Sequence, residues 1–402
     1  MLTKFFAHQN NVCCGLLGSW LVLKSVVALD SAFCQCSMRS HFVYLLTTKE
    51  LIHHNPVALQ GTQMLQWLYS KSLKVSNVLF TAETERSPLL VQFFETFGNS
   101  VRCVQFRDKC NEMDTMYLAA CYCKHITILR CTNVSISLPF YAILRNNPNI
   151  REIWVHRATC VLPNLMKDLS LHKLHLLSVQ DTNCLEGFPW STNAHSNSLQ
   201  WVECVCTNWS VADTNALTTN CPNIRSFSCA RIRVTDSSLQ SYLSNRPELI
   251  HLSLCGNVVV TDDGILYAAQ QLSCLRTLNI QKCSKLTVAC LAHIAEHRNK
   301  LEILYCDITN SCDVTERVVQ EFSQKCTSIT SLNICSNFVL CTTTCTWSLL
   351  EGCPALHTLV INDFNNITSS GRKLASLVKP HLRILVHDES TKFDVLTLPI
   401  HK

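Results

Sequence analysis

The sequence is poor in glycine and in charge. Only 9 of its 402 residues are glycine and 16% are charged, whereas 47% belong to the hydrophobic set. A chain with this much apolar side chain can bury a large core, which excludes an intrinsically disordered protein. The 34 basic and 29 acidic residues leave a net charge of +5 and form no long run of one sign. This balance lacks the electrostatic footprint of a protein that binds a phosphate backbone, and we expect no nucleic-acid partner.

Motifs of catalysis, cofactor binding and metal binding are also missing. The chain contains no G-x-G-x-x-G, G-x-x-x-x-G-K-[ST], G-x-S-x-G, H-E-x-x-H or C-x-x-C sequence. The adjacent His53 and His54 have no partners at metal-ligand spacing. We therefore expect no catalytic residue, no cofactor and no metal ion, and predict that the protein is not an enzyme.

A repeat runs through most of the chain. Its core is a six-residue pattern with apolar residues at positions 1, 4 and 6 and any residue at the other positions. We call the apolar residue at position 1 the anchor. The thirteen anchors are Val75, Val101, Ile126, Ile150, Leu174, Leu199, Ile224, Leu249, Leu275, Leu301, Ile329, Leu356 and Leu382. Their spacing of 24 to 28 residues is shorter than the ankyrin, tetratricopeptide and propeller periods. A unit this short cannot cover its own apolar side, so it must stack on its neighbours.

Each unit also predicts one short helix after the strand. Apolar residues recur at i, i+3 and i+4 about ten residues before an anchor, as at Leu239, Tyr242 and Leu243. A Val-Thr-Asp phrase precedes them at 234–236 and 260–262, and it is typical of a helix N-terminus. Prolines two residues before four of the anchors are expected to end the helix and begin the next strand.

The 26 cysteines follow the same period. Some, such as Cys221 and Cys326, stand three residues before an anchor, and others, such as Cys204 and Cys229, take the third apolar position of the strand. Side chains at the strand position are predicted to point into the core. We interpret the cysteines as buried thiols that behave as small apolar residues, and not as a disulfide framework.

This pattern resembles the cysteine-containing class of leucine-rich-repeat proteins, whose core reads C-x-x-L-x-x-L-x-L-x-x-[CN] and is followed by an I-T-D type helix start. The resemblance covers about residues 73–388 and is clearest between 221 and 378. It implies an α/β leucine-rich-repeat solenoid, with a curved parallel sheet on the concave face and helices on the convex face. The stretch 184–198 departs from the pattern because it lacks a helical period. An Asn or Cys after the strand is clear only at Asn257, Cys283 and Asn337.

The first 46 residues allow several interpretations. An apolar run from Val12 to Leu23 is followed by Lys24 and Asp30, which disfavours both a signal peptide and a membrane span. A helical hairpin fits the pattern better. The stretch also resembles the second half of an F-box, although the opening Leu-Pro phrase of that motif is absent. The residues that carry this resemblance, and that it implies would bind a ligase adaptor, are Trp20, Leu21, Leu23, Val26, Leu29 and Phe33.

Four parts are predicted along the chain. Residues 1–46 form either an F-box-like helical segment or an N-terminal cap of the solenoid. A helical connector spans 47–72, the solenoid of about thirteen repeats spans 73–388, and a C-terminal tail spans 389–402.

An F-box joined to such repeats implies the substrate-recognition subunit of an SCF-type cullin-RING ubiquitin ligase, in the cytoplasm or the nucleus. By this resemblance the N-terminal helices bind the ligase adaptor and the concave face holds a protein target, without chemistry by the receptor itself. One alternative is a scaffold or sensor without ligase association. Another is a secreted or membrane-tethered protein, in which N-x-[ST] sites at Asn133, Asn208 and Asn366 would be glycosylated. The first two hypotheses expect no membrane contact.

Polar and aromatic residues between the inward-pointing positions are predicted to face the concave side. Trp154 and Trp201 lie two repeats apart, which corresponds to roughly 10 Å at the spacing of a sheet. Tryptophan and arginine are the residue types that binding hot spots favour. The predicted contact patch consists of Arg107, Arg130, Glu152, Trp154, His156, Gln180, Trp201 and Glu203.

Overall fold

Strand and helix alternate along the chain in the computed structural model. The structure describes residues 14, 16–34, 39–47, 51–59, 61–81, 88–108, 112–160, 173–181, 197–205, 217, 219–231, 233–244, 246–297, 300–306, 315–333, 343–362, 379 and 381–387. The predicted tail and the residues Asn208, Asn337 and Asn366 lie outside these ranges. Two compact units divide the chain at residues 188 and 189, inside the stretch 184–198 that lacks a helical period.

The first unit spans residues 1–188. Its helices are α1 (Leu23–Ala32), α2 (Arg39–Thr47), α3 (Gly61–Lys71), α4 (Leu90–Phe97), α5 (Glu112–Tyr122) and α6 (Leu138–Asn146), with a π-helical turn at Leu16–Trp20 and a 3-10 turn at Gly98–Ser100. Its strands are β1 (Ile52–His53), β2 (Val57–Ala58), β3 (Lys74–Val75), β4 (Asn77–Phe80), β5 (Cys103–Arg107), β6 (Ile128–Thr132), β7 (Ser135–Ile136), β8 (Glu152–His156), β9 (Thr159–Cys160) and β10 (Leu176–Gln180).

The second unit spans residues 189–402. Its helices are α7 (Asp236–Leu243), α8 (Asp262–Gln271), α9 (Ala289–His297), α10 (Thr315–Lys325) and α11 (Thr343–Gly352). Its strands are β11 (Trp201–Val205), β12 (Ser226–Ala230), β13 (His251–Ser253), β14 (Thr277–Ile280), β15 (Ile303–Cys306), β16 (Ser331–Asn333), β17 (Thr358–Asn362) and β18 (Arg383–His387).

Each unit contains a parallel sheet. In the first unit the strand order is β2, β4, β5, β6, β8 and β10, and in the second unit β11 to β18 follow one another in chain order. Equivalent residues of successive repeats therefore form rows, as Cys103, Ile128 and Glu152 do. Successive residues of a strand point to opposite faces, so one face of each sheet carries the inward apolar positions. The other face, which we call the open face, carries the residues between them.

The inward face packs against the helices. Ile265 and Ala268 of α8, Leu278 of β14 and Ile294 of α9 line one apolar space. Neighbouring helices also contact each other, as α8 does with α9. Full burial of one Leu or Ile side chain stabilises a fold by roughly 1.5–3 kcal/mol. The stability of each repeat therefore depends on the repeats beside it.

Twelve of the thirteen predicted anchors are buried, each with 7% exposure or less. The exception is Leu382, which is half-buried. In the last strand pair Leu359 lies opposite Ile384 and Ile361 lies opposite Val386. The predicted anchor of the last coil is therefore wrong by one residue. In this register Val386 pairs with Ile361, whereas anchoring at Leu382 would assign that position to His387.

The Val-Thr-Asp phrases have two functions at the helix starts. Thr235 caps α7 as predicted, because its hydroxyl accepts a hydrogen bond from the Ser238 amide (3.3 Å) and the Ser238 hydroxyl accepts one from the Thr235 amide (3.0 Å). Thr261 makes no such cap. Its amide and hydroxyl instead donate to the two carboxylate oxygens of Asp236 in the preceding repeat, at 3.0 and 2.8 Å.

Asp262 extends this arrangement to the next repeat. Its carboxylate accepts hydrogen bonds from the amide and hydroxyl of Thr287, at 2.9 and 2.6 Å. Hydrogen bonds to a charged group contribute roughly 1.5–3 kcal/mol each. The acids that the sequence predicts as helix-dipole partners therefore also connect successive repeats.

Asn257 and Cys283, two of the Asn or Cys residues predicted after a strand, bind backbone carbonyl groups at the turn. The Asn257 side-chain amide donates to the carbonyl oxygens of Cys229 (2.7 Å) and Leu254 (2.8 Å). The Cys283 thiol lies 3.1 Å from the same Leu254 oxygen. Asn257 thus supplies a side-chain donor to the Cys229 carbonyl, while the Leu254 carbonyl also accepts from the Asn257 backbone amide at 3.1 Å.

The predicted helical connector, 47–72, contains helix α3 but begins with two short strands. Strand β1 pairs with β3 so that His53 lies opposite the first predicted anchor, Val75. Strand β2 pairs with β4 one residue out of step, with Val57 opposite Val78. The extra residue lies at 54–56, where Pro56 has no amide proton to donate. An additional coil thus precedes the predicted array, with a fully buried histidine at its anchor position.

Burial lowers the pKa of His53 below its usual value, and the neighbouring His54 adds to this effect. Its Nδ1 atom lies 3.1 Å from the Leu17 carbonyl oxygen, which partly opposes the shift. Within the part of the chain that the structure describes, its Nε2 atom is buried without a hydrogen-bond partner. The folded state therefore favours the neutral ring.

Acidification is expected to destabilise the first unit through His53. Below pH about 6.5 the unfolded chain binds a proton that the folded chain does not, so the free energy of unfolding falls, by at most about 1.4 kcal/mol per pH unit, until the lower folded pKa is reached. Urea unfolding at pH 7.5 and 5.5 measures this. His53→Leu should lose this part of the pH dependence, and the exposed neighbour's variant His54→Gln should keep it. Equal pH dependence in wild type and His53→Leu would contradict the assignment.

Candidate functional site

The six predicted adaptor-binding residues differ in their exposure. Leu23 and Val26 of α1 are buried, at 5% and 1% exposure, and belong to the core of the N-terminal segment. Leu21, Leu29 and Phe33 are half-buried, and the side chain of Trp20 lies outside the described residues. The Phe33 ring packs on Phe42 of α2 with ring centroids 4.9 Å apart. Among the five of these residues whose side chains are described, the half-buried ones present apolar surface to a partner.

A buried carboxylate holds the N-terminal helices together. Asp30 of α1 lies 2.6 Å from Nη1 of Arg39 in α2 and 3.4 Å from Nζ of Lys71 in α3. The indole of Trp67 in α3 donates to the same carboxylate at 3.1 Å. Arg39 also donates to the Asp30 backbone carbonyl. We call this the Asp30 cluster.

From the sequence, Asp30 argues only against a signal peptide and a membrane span, and this cluster was not predicted. Its members come from three helices and are separated by up to 41 residues. The side chain of Asp30 is only 8% exposed, which leaves it dependent on its cationic partners. A polar residue inside an apolar helix pattern was the signal that could have drawn attention to it.

The open face of the first unit carries a compact arginine–tryptophan contact. The Arg130 guanidinium carbon lies 5.2 Å from the centre of the Trp154 ring, within cation–π range. Glu152 accepts a hydrogen bond from the Trp154 indole at 3.3 Å and lies 3.8 Å from Arg130. Three of the predicted patch residues are therefore brought together, and we call them the Trp154 cluster.

Other predicted residues extend the Trp154 cluster along the same face. The His156 ring lies 5.8 Å from the Trp154 ring in an edge-to-face arrangement, and its Nε2 atom lies 2.8 Å from the Ser178 hydroxyl. Gln180 is buried at the end of β10, whereas Arg107 is exposed at the end of β5. Ser178 was not predicted, because a serine at an open-face position gives no binding signal by itself.

A thiol beside this cluster stays protonated. Burial raises the pKa of Cys103 to about 11, although the nearby Arg130 partly opposes the shift. Burial likewise raises the pKa of Cys123 to about 12 and that of Cys353 to about 11. Neutral thiols of this kind are weak nucleophiles and weak metal ligands at physiological pH. Within the described ranges no group of three or more His, Cys, Asp or Glu side chains is arranged to hold a metal ion.

The remaining predicted contact residues lie in the second unit. The Trp201 ring is half-buried, and its centre lies 6.0 Å from that of His251 on the same open face. Ser226 occupies the row position between them. Glu203 is only 2% exposed. Trp154 and Trp201 belong to different units, so the predicted 10 Å between them stays a prediction.

The structure is similar to a chain of the crystal structure of the Rad7 and Elc1 complex in yeast. The TM-score is 0.55, and the alignment covers 99% of this chain and 94% of that chain at 15% sequence identity. No family model and no curated protein sequence matches the chain. The fold is of the leucine-rich-repeat type. This confirms the predicted α/β leucine-rich-repeat fold. At 15% sequence identity the similarity bears on the fold alone.

The leucine-rich repeats determine which side chains are available for binding. Open-face residues stand in rows, one per repeat, so the Trp154 cluster combines residues that are 22 to 24 positions apart in the sequence. Among the described helices none combines the length and apolar character needed to cross a membrane.

Proposed function

We propose that the protein is a protein-interaction module that acts as the substrate-recognition subunit of an SCF-type cullin-RING ubiquitin ligase. The observation that carries this proposal is the exposed apolar surface of the N-terminal helices. Helices α1 to α3 are held by the Asp30 cluster, while Leu21, Leu29 and Phe33 keep part of their apolar surface exposed. Val22 and Tyr44 add larger exposed surfaces, at 58% and 59%. Exposed apolar residues on a rigid helical support favour a protein partner.

The similar solved chain comes from a complex of two proteins, Rad7 and Elc1. This supports assembly with a second protein in general. In our proposal that protein is the ligase adaptor, and the N-terminal helices bind it. The open face of the repeats, with the Trp154 cluster, would then hold the protein to be ubiquitinated. In this function the receptor positions its target and carries out no chemistry itself. By holding the target it raises the effective concentration of target lysines near the ligase.

A reducing compartment suits this function. The seventeen cysteines whose side chains are described include no disulfide-bonded pair. Free thiols are typical of the cytoplasm and the nucleus, where disulfides are rare. We propose one of these two locations for the protein.

Recovery of the ligase adaptor by the full chain tests the proposal. A pull-down with purified adaptor should retain the wild-type chain, and Leu29→Glu should weaken retention at least about tenfold, because it places a charge in the apolar contact. Leu138→Glu is the matched control, since Leu138 is 62% exposed on α6. A wild-type chain that fails to bind under conditions where a known F-box protein binds would exclude ligase association.

One observation favours the alternative of a scaffold whose N-terminus is only a cap. Trp67 and Lys71 of α3, which leads into the repeats, both contact Asp30. Deletion of residues 1–46 does not by itself distinguish the two functions. Because Asp30 contacts α3, the shortened chain is expected to unfold at a lower temperature in both cases. Adaptor binding separates them: an adaptor-binding segment is required for retention of the full chain by the adaptor, whereas with only a cap the full chain is not retained.

A further inference from the structure

The strands of the first unit begin at a continuous backbone ladder. The carbonyl oxygen of Arg102 accepts a hydrogen bond from the Thr127 amide at 2.7 Å, that of Thr127 from the Arg151 amide at 2.7 Å, and that of Arg151 from the His175 amide at 2.8 Å. These four residues are therefore consecutive rungs. Because neighbouring strands lie about 4.8 Å apart, Arg102 and Arg151 are about 10 Å apart along the ladder.

Four cationic side chains are exposed at this ladder or in the segments that lead into it. Arg102, Arg151 and His175 are exposed rungs, and Lys124 and Lys173 are exposed in the segments that lead into the rungs. The Lys173 ammonium lies 2.6 Å from the Asn149 side-chain oxygen, and the Arg102 guanidinium donates to the Asn99 carbonyl at 2.8 Å. Two arginines and two lysines give this surface four positive charges. We call Arg102, Lys124, Arg151 and Lys173 the basic edge.

The basic edge lacks compensating acids. The segments 98–102, 123–127, 147–151 and 173–175, which lead into the strands, contain no Asp or Glu. Within the residues that the structure describes, none of the four cations takes part in an ion pair. The corresponding edge of the second unit differs, because its Arg276 is paired with Glu302 of the next repeat. Like charges held together without counter-charges raise the potential of the edge and attract an anionic partner.

We propose that the basic edge binds an acidic segment of a protein partner. Carboxylates spaced along such a segment would form ion pairs with cations that the ladder already holds in a row, so little ordering of the edge is needed. A nucleic acid fits less well, because the four segments contain no Phe, Tyr or Trp side chain on which a base could stack. The basic edge uses residues outside the N-terminal helices and the Trp154 cluster, although Arg151 directly precedes Glu152 of that cluster. The proposal does not depend on ligase association.

Fluorescence polarisation with the full chain tests the site. The probes are a dye-labelled ten-residue peptide of alternating Glu and Gly, the same peptide with Gln for Glu, and a twelve-nucleotide single-stranded DNA. At 50 mM salt the Glu peptide should bind at least about tenfold more tightly than the Gln peptide. The double variant Arg102→Glu/Arg151→Glu should weaken Glu-peptide binding about tenfold, since it removes two exposed ion pairs with the peptide.

The matched control is Arg225→Glu, an exposed arginine at the equivalent rung of the second unit. It should change binding less than about twofold. If the double variant unfolds at a lower temperature than wild type, Arg102→Gln/Arg151→Gln gives the same test without charge reversal. Equal binding of the Glu and Gln peptides, or unchanged binding by the double variant, overturns the proposal. Tighter binding of the DNA than of the Glu peptide, lost in the double variant, would make the edge a nucleic-acid site and overturn it as well.

Discussion

Replacement of Asp30 by alanine is expected to lower the free energy of unfolding of the first unit by about 3 kcal/mol. Removal of one partner from a buried ion pair costs roughly 3–5 kcal/mol, because the remaining charges stay buried without compensation. Arg39 and Lys71 would face each other without the carboxylate, and the Trp67 indole would lose its acceptor. The lower end of the range applies since the Arg39 side chain is 29% exposed.

Urea unfolding followed by tryptophan fluorescence measures this effect. Asp114→Ala is the control, because Asp114 is an exposed acid on α5 of the same unit and should change stability by less than about 0.5 kcal/mol. Asp30→Asn keeps the shape of the side chain and should recover only part of the loss. A change in Asp30→Ala no larger than that of the control would show that the helices are not held by this carboxylate. If the proposed function is correct, Asp30→Ala should also lose adaptor binding.

Replacement of Gly264 by alanine is expected to destabilise the second unit by about 2 kcal/mol. Alanine inside a helix ordinarily stabilises it by about 1 kcal/mol relative to glycine, so the expected sign is reversed. A β-carbon at this position in α8 would lie 2.3 Å from Oδ1 of Asp236. That oxygen accepts the hydrogen bond from the Thr261 amide. The carboxylate would have to move, and the two hydrogen bonds that connect these repeats would be lost.

A double-mutant cycle isolates the cause. In an Asp236→Ala background the clash with the carboxylate is absent, and Gly264→Ala should then be neutral or stabilising in urea unfolding. The remaining neighbour, Cγ1 of Val260, lies 3.3 Å from the added carbon and needs only a small shift. The same loss in both backgrounds would mean that the glycine is required for a reason other than the Asp236 contact.

The candidate sites were predicted only in part. The structure places the three residues of the Trp154 cluster on one face, because strand periodicity determines which residues share a face. Its geometry was not predictable, since the contact of Arg130 with Trp154 depends on the choice of rotamers on two strands. Glu203, predicted at the same surface, has only 2% exposure. Exposure of an open-face residue depends on the size of its neighbours in adjacent repeats.

The basic edge was not predicted, although each of its residues is visible in the sequence. Its four cations are separated by intervals of 22, 27 and 22 residues. A run of charge along the chain is easy to recognise, whereas a row of charge across a sheet forms only when parallel strands align in register. The overall net charge of +5 did not indicate such a local surface.

The amino-acid sequence by itself determined the repeat, the alternation of strand and helix and the burial of twelve anchors, because these follow from a local apolar pattern that every unit shares. Only the tertiary structure decided the extra coil at His53, the register of the last strand, the carboxylates that connect successive repeats and the Asp30 cluster. Each of these depends on side chains that are distant in the sequence and meet only when the units stack. Their energies come from burial and pairing in that stack, which a pattern along one chain does not contain.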